Sequence, residues 1–281
     1  MTWIQAGSSI CFKPYSLEEA LRGLAAAGFE NVEIGAVKGF LEHLDPDRLG
    51  PAEIDQARSL LERNGLRCVS MSGHAQLHTG EGLARLRRVL AAGRELDISV
   101  LNTFTGDAES PAELGAFEQN ARTLADEAQA VGIRLCIETD SNLMPTAEVG
   151  LRLLDRIGHD WIQINYDPGN VVYYTGERPE IDIKYGLPRI GHVHLKDKRG
   201  GKGVLDFPPP GEGELDLRSM LRDLESVGFS GPVSMEIEFT NYDYPDWDAC
   251  VDAARHGKHD HEQKHRIEEG RPRHQRGCEF G

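Results

Sequence analysis

The stretch Pro51–Met71, PAEIDQARSLLERNGLRCVSM, holds a helix start, a helix stop and a strand in immediate succession. Pro51 suits a first helical position, where a missing N–H costs nothing. Ile54, Ala57 and Leu61 recur at helical spacing and share one face. Gly65 follows, where a left-handed residue ends a helix without steric penalty, and LRCVSM then reads as a strand. A helix that runs directly into a strand is half of a parallel crossover unit, so the question is how often the unit recurs.

It recurs along almost the whole chain. Upstream, SLEEALRGLAAAG offers a capping box from Ser16 and Glu19, with Gly28 as the stop before the strand NVEI. Downstream, GLARLRRVLAAG precedes ISVLNTF, PAELGAFEQNARTLADEAQAVG precedes IRLCIE, and PTAEVGLRLLDRIG precedes WIQINYD. A shorter helix near Ile181 to Tyr185 leads to IGHVHLK, and DLRSMLRDLESVG leads to PVSMEIE. A first strand inside WIQAGSSI brings the number of strands to eight. Strands joined by helical segments pair in parallel, and eight of them predict a closed (β/α)8 TIM barrel, an α/β fold whose usual size accommodates 281 residues as a single domain. No G-x-G-x-x-G follows the first strand, which weakens the doubly wound nucleotide-binding alternative. The barrel is expected over residues 1–255, and the polar, histidine-rich segment 256–281 is expected to be irregular rather than a metal-binding tail.

Charge narrows the partners. With 31 Lys+Arg against 46 Asp+Glu the net charge is −15, which repels nucleic-acid backbones and anionic membranes. The start MTWIQAGSS lacks signal-peptide order, no apolar run reaches membrane-spanning length, and the five cysteines show no C-x-x-C spacing. A soluble cytoplasmic protein with a small-molecule substrate is expected, and the composition allows a homo-oligomer.

Strands of a parallel barrel are buried on both faces and should be apolar throughout. In WIQINYD, however, Ile162, Ile164 and Tyr166 alternate with Gln163, Asn165 and Asp167, and in IGHVHLK two histidines and a lysine alternate with Val193 and Leu195. One face packs against helices, so the polar series is predicted to line the barrel interior. Its charged members end successive strands: Glu138 on the fifth, Asp167 on the sixth, His194 on the seventh and Glu236 on the eighth. Those ends meet at the rim where active sites of this fold are built. Three carboxylates and an imidazole brought together repel unless a cation sits among them. The oxygen-rich set predicts one divalent ion, Mn2+ foremost, with Mg2+ or Co2+ as alternatives. His192, two residues deeper, reads as a hydrogen-bonded core histidine.

The set CIETD, NYDPGN, GHVHLKD, PGEGELD and VSMEIE resembles, in order and spacing, the xylose isomerase-like TIM-barrel superfamily, over residues 4 to 255. The resemblance implies that Glu138, Asp167, His194 and Glu236 hold one metal and that Glu138 and Glu236 are the catalytic acid/base pair. It also implies the activity: a metal-dependent isomerase or epimerase of a small keto-sugar or sugar phosphate, working through an enediolate. The alternatives are an inosose dehydratase-like lyase, suggested by HVHLKD, and a non-catalytic sugar-binding barrel. The DNA-repair branch of the superfamily carries a histidine where this chain has Asn170. Asn170, His74, Asn102 and Lys196 are the candidate substrate-binding residues. Glu33 is read as a substrate contact or as a partner for its neighbours inside the barrel. The basic loop KDKRGGKG, with Lys198 and Arg199, is read as a phosphate clamp or a solvated turn.

Overall fold

The computed structural model describes residues 3–141 and 143–269, with backbone alone over 260–269. The strands are β1 (Ile4–Ser8), β2 (Asn31–Gly35), β3 (Arg67–Ser72), β4 (Val100–Thr103), β5 (Arg134–Glu138), β6 (Ile162–Tyr166), β7 (Ile190–Lys196) and β8 (Pro232–Glu236). Each pairs in parallel with the next, and β8 returns to β1 with Gln5 opposite Val233, which closes the barrel. The surrounding helices are α1 (Leu17–Ala26), α2 (Pro51–Asn64), α3 (Gly80–Glu95), α4 (Pro111–Ala130), α5 (Ala147–Ile157), α6 (Pro168–Thr175), α7 (Pro179–Gly186), α8 (Leu217–Ser226) and α9 (Trp247–Glu269).

Local chemistry sets these boundaries. Glu19 Oε2 accepts from the Ser16 backbone at 2.9 Å while Ser16 Oγ accepts from the Glu19 backbone at 3.3 Å, the reciprocal cap that starts α1. Gly65, at φ 66°, ends α2. The apolar strand series, such as Ile162, Ile164 and Tyr166, is buried against the helices. The polar series fills the barrel: Glu33, Ser70, Asn102, Asn165, His192 and Ser234 are all buried within it.

Two features differ from the sequence reading. Between β6 and β7 there are two helices, because Asp167 caps α6 by accepting from the Asn170 backbone at 3.0 Å and Pro168 takes the first helical position. The segment expected to be irregular from 256 is instead helical to Glu269, since it continues α9; residues 270–281 lie outside the described residues. The helix α9 packs on α1 with Cys250, Val251 and Ala254 buried, and Trp247 Nε1 donates to the Glu19 carbonyl at 3.0 Å. Cys11, Cys68, Cys136 and Cys250 are buried free thiols. No helix among the described residues is long and apolar enough to cross a membrane.

The loop from β7 to α8 is organised by one buried carboxylate. Asp197 accepts from the backbones of Lys198 (2.8 Å), Gly211 (2.9 Å), Gly213 (3.0 Å) and Leu215 (3.2 Å). Gly213 approaches so closely that a Cβ there would lie 2.1 Å from Asp197 Oδ1. Asp197→Ala should destabilise the protein by about 3 kcal/mol, since it removes charged acceptors and leaves donors unpaired. The urea midpoint measures this, and an unchanged midpoint contradicts it.

Candidate metal centre at the barrel rim

Four residues from consecutive strand ends converge above the barrel interior. Glu138 ends β5, Asp167 caps α6 just after β6, His194 projects inward from β7, and Glu236 ends β8. One ligand atom from each lies within 4.8 Å of all the others, and all four residues are buried. His194 Nδ1 is 3.0 Å from Glu138 Oε1, and Nε2 is 3.5 Å from Glu236 Oε1. Parallel register explains the convergence: His194 pairs with Ser234 and Lys196 with Glu236, so alternate residues of β7 and β8 rise together on the inner face.

This donor set fits a divalent cation. Three carboxylates and an imidazole supply hard oxygen ligands and one nitrogen, without thiolate. Two buried oxygens, Glu138 Oε2 and Asp167 Oδ2, have charged neighbours but no aligned hydrogen bond, so their lone pairs are available to an ion.

The protein's own charges are unevenly distributed over the set. Burial alone would raise the Glu138 acid, but His194 and His74 outweigh it and hold Glu138 well below the usual carboxylate range. Asp167 is pushed up by burial, then by the charges of Glu138 and Glu236, against the opposing pull of Lys196. Glu236 is likewise raised by burial, with His194 and Lys196 opposing. Burial disfavours charge on Lys196, yet the surrounding carboxylates keep its ammonium well above the ordinary lysine value. Its Nζ contacts Asp167 Oδ2 at 2.8 Å, Glu236 Oε2 at 3.0 Å and Glu238 Oε1 at 2.5 Å.

Glu138 and Glu236 of the quartet line a cavity of about 420 Å³, in the size range of small-ligand sites. His74 stacks on Phe104 with centroids 5.1 Å apart and brings Nε2 to 2.9 Å from Glu138 Oε2. Asn170 Nδ2 donates to Glu138 Oε1 at 3.1 Å. His74, Asn170 and Lys196 therefore share the cavity wall with Glu138 and Glu236. Asn102 does not. It is buried one layer lower, with Nδ2 donating to Glu33 Oε2 at 2.8 Å, so its expected place among the substrate contacts is corrected to a supporting one. His192 is the hydrogen-bonded interior histidine expected, 2.8 Å from Asn165 Oδ1 and 3.0 Å from Ser234 Oγ.

Of the two readings left open for the basic loop, the clamp has no support in its geometry. Lys198 Nζ donates to the carbonyls of Arg199 and Val204, and Arg199 turns to Glu212 and Asp206, so neither residue lines the cavity. The sequence reading missed the aromatic wall. Phe40 and Phe104 come from loops, Tyr174 from α6 and Tyr242 from a short 3-10 turn, with Lys13 Nζ 3.5 Å from the Phe40 ring centroid and 4.4 Å from that of Tyr242. Aromatics scattered over separate segments carry no shared periodic signal. Glu238, by contrast, extends the alternation of β8 and was legible there.

Comparison with known proteins places this geometry among relatives. The profile of a family described as "xylose isomerase-like TIM barrel" matches residues 21–259. An inosose dehydratase of Klebsiella pneumoniae subsp. pneumoniae is 31% identical over 157 residues, which is 47% of this chain and 51% of that protein, so the match spans about half the relative's length. Among solved structures, a D-allulose 3-epimerase from Methylomonas sp. superposes with TM-score 0.75 at 20% identity, covering 94% of this chain and 98% of that one. The IOLI protein with a bound zinc atom gives TM-score 0.75 at 16% identity, covering 93% and 98% respectively.

Proposed function

This chain belongs to the xylose isomerase-like TIM-barrel family, and from that premise we propose that it is a divalent-metal-dependent isomerase or epimerase of a small, uncharged keto-sugar. The observation that carries the reading is the placement of two buried carboxylates, Glu138 and Glu236, on either side of the His194 ring at the floor of one cavity. A binding module has no need of two bases there. The D-allulose 3-epimerase named above, which shares the fold, supports this reading.

A divalent ion held by Glu138, Asp167, His194 and Glu236 would supply electrostatic stabilisation of a ketone oxygen and its neighbouring hydroxyl as the α-proton leaves. The rest falls to the chain. One of Glu138 and Glu236 removes the proton and the other returns it from the opposite side, which inverts the carbon. His74 and Asn170 hold Glu138 through contacts of 2.9 and 3.1 Å, and the aromatic wall excludes water from the enediolate.

The cations of the wall favour a neutral substrate over a sugar phosphate. Among the described residues, Lys38, Arg85 and Lys196 line the cavity, and each is engaged by carboxylates: Lys38 by Glu42 at 3.1 Å, Arg85 by Glu81 at 2.7 Å, Lys196 by the three acids given above. A phosphate would face Glu138, Asp140, Glu236 and Glu238, and the lysine nearest the wall outside these ion pairs, Lys13, lies over the Phe40 and Tyr242 rings.

A second reading is dehydration of an inosose, favoured by the names of the curated relatives and by Asp140 and Tyr174, which line the same cavity and offer proton donors to a departing β-hydroxyl. One experiment separates the readings. Keto-hexoses and inososes are incubated with the protein and Mn2+ in D2O, with and without chelator. Deuterium at one sugar carbon with mass otherwise unchanged is expected, and chelator should abolish it. Loss of water from the product selects the lyase. Binding of sugar without exchange or product overturns both and leaves a non-catalytic barrel.

A further inference from the structure

Glu33, on β2, is wholly buried beneath the rim; it is not one of the four rim residues, and with His192 and His194 it forms a second buried group of possible ligand atoms that shares His194 with the first. An isolated carboxylate there would be strongly unfavourable, so its partners define its role. Glu33 Oε2 accepts from Ser70 Oγ at 2.8 Å, Asn102 Nδ2 at 2.8 Å and Ser234 Oγ at 3.3 Å, and lies 3.1 Å from His192 Nε2. These bonds tie the carboxylate to β3, β4 and β8 and fix its plane. Glu33 Oε1 lies 2.9 Å from His194 Nε2, closer than its other contact, Ser8 Oγ at 3.5 Å.

The imidazole of His194 offers two nitrogens to a centre that needs one. Nε2 lies 2.9 Å from Glu33 Oε1 and 3.5 Å from Glu236 Oε1, whereas Nδ1 faces Glu138 Oε1 at 3.0 Å and the Asn165 amide nitrogen at 3.1 Å. A carboxylate that accepts the Nε2 hydrogen leaves the Nδ1 lone pair to a metal and makes it more basic. We infer that Glu33 is a positioning residue of the metal centre: it holds the hydrogen of His194 on Nε2 and so selects Nδ1 as the ligating atom. The inference rests on the proposed metal centre. It also gives a reason for the polar network in the barrel. Ser70, Asn102 and Ser234 hold an acceptor whose partner is 161 residues away in sequence.

The test uses the full chain stripped of metal. Mn2+ affinity is measured by competition with a chelating dye for the wild type and for Glu33→Gln, which keeps shape and an acceptor oxygen but removes the charge. About 10- to 100-fold weaker Mn2+ binding is expected, with cooperative unfolding of the metal-free variant retained. Equal affinity overturns the role of Glu33 alone, whereas failure of the wild type to bind Mn2+ overturns the metal centre itself. A second measurement does not depend on the variant folding. In the Zn2+-loaded wild type labelled with 15N-histidine, the His194 signals, assigned by their loss in His194→Gln, should show a protonated Nε2 and a coordinated Nδ1. A protonated Nδ1 overturns the inference.

Discussion

Glu138→Gln is expected to lower turnover by about 10²- to 10⁴-fold, the contribution of a positioned general acid or base. The substitution preserves volume and removes the charge that faces His194 Nδ1 at 3.0 Å and His74 Nε2 at 2.9 Å. It therefore acts on two functions at once, the proton transfer and the ligand set, and two measurements separate them. Solvent-deuterium incorporation into the sugar should fall in parallel with turnover at saturating Mn2+, because the proton no longer has an acceptor. The Mn2+ titration reports the ligand role independently. Incorporation at the wild-type rate in metal-saturated Glu138→Gln would show that another group removes the proton. Far-ultraviolet circular dichroism should be unchanged, since the residue lies at a strand end and its backbone pairing is untouched.

Lys196→Met is expected to have the largest effect on stability, about 3–5 kcal/mol in the metal-free protein. Lys196 is buried among Asp167, Glu236 and Glu238, so methionine fills the stem's volume while leaving three acids without their cation. Against a typical total of about 5–15 kcal/mol, that loss is a third or more of the margin. Mn2+ should restore more stability to the variant than to the wild type, because the ammonium touches two members of the proposed ligand set. Burial raises the Asp167 and Glu236 acids above the ordinary range, with Lys196 opposing the rise. Without Lys196 the native state binds still more protons than the unfolded chain, so native stability falls as pH rises through the raised values. The deficit of the variant should consequently widen from acid toward neutral pH. Equal denaturation midpoints for the two metal-free proteins, or a deficit that shrinks as pH rises, would contradict the placement of Lys196.

The residues that carried the correct reading share one property: their information is local or periodic. Pro51 and Gly65 mark a helix whatever packs against it, and Ile162, Ile164 and Tyr166 mark a buried face by period alone. The same period singled out the inward series of β7, from which His194 reaches the rim and His192 stays below. Even the missed helix α6 had a legible start in Asp167-Pro168, obscured because Asp167 was read for its charge rather than for its cap.

What failed was whatever depended on height along the barrel axis or on loop path. Asn102 and Glu138 both look inward, yet Asn102 sits one layer lower and meets Glu33 instead of the cavity. For Lys198 and Arg199 the sequence left a clamp and a surface turn open, and loop path decides: the fold turns them onto the carbonyls and acids of their own loop.

The repeat of helix, stop and strand, and the alternation within strands, were enough to determine a closed parallel barrel and the residue types at its mouth, because helix and strand periods are properties of the backbone itself. Tertiary structure alone decided which inward groups touch. Barrel closure and stagger bring Glu33 to 2.9 Å from His194 across 161 residues, and distances of that kind depend on how eight strands share one axis rather than on any segment of the chain.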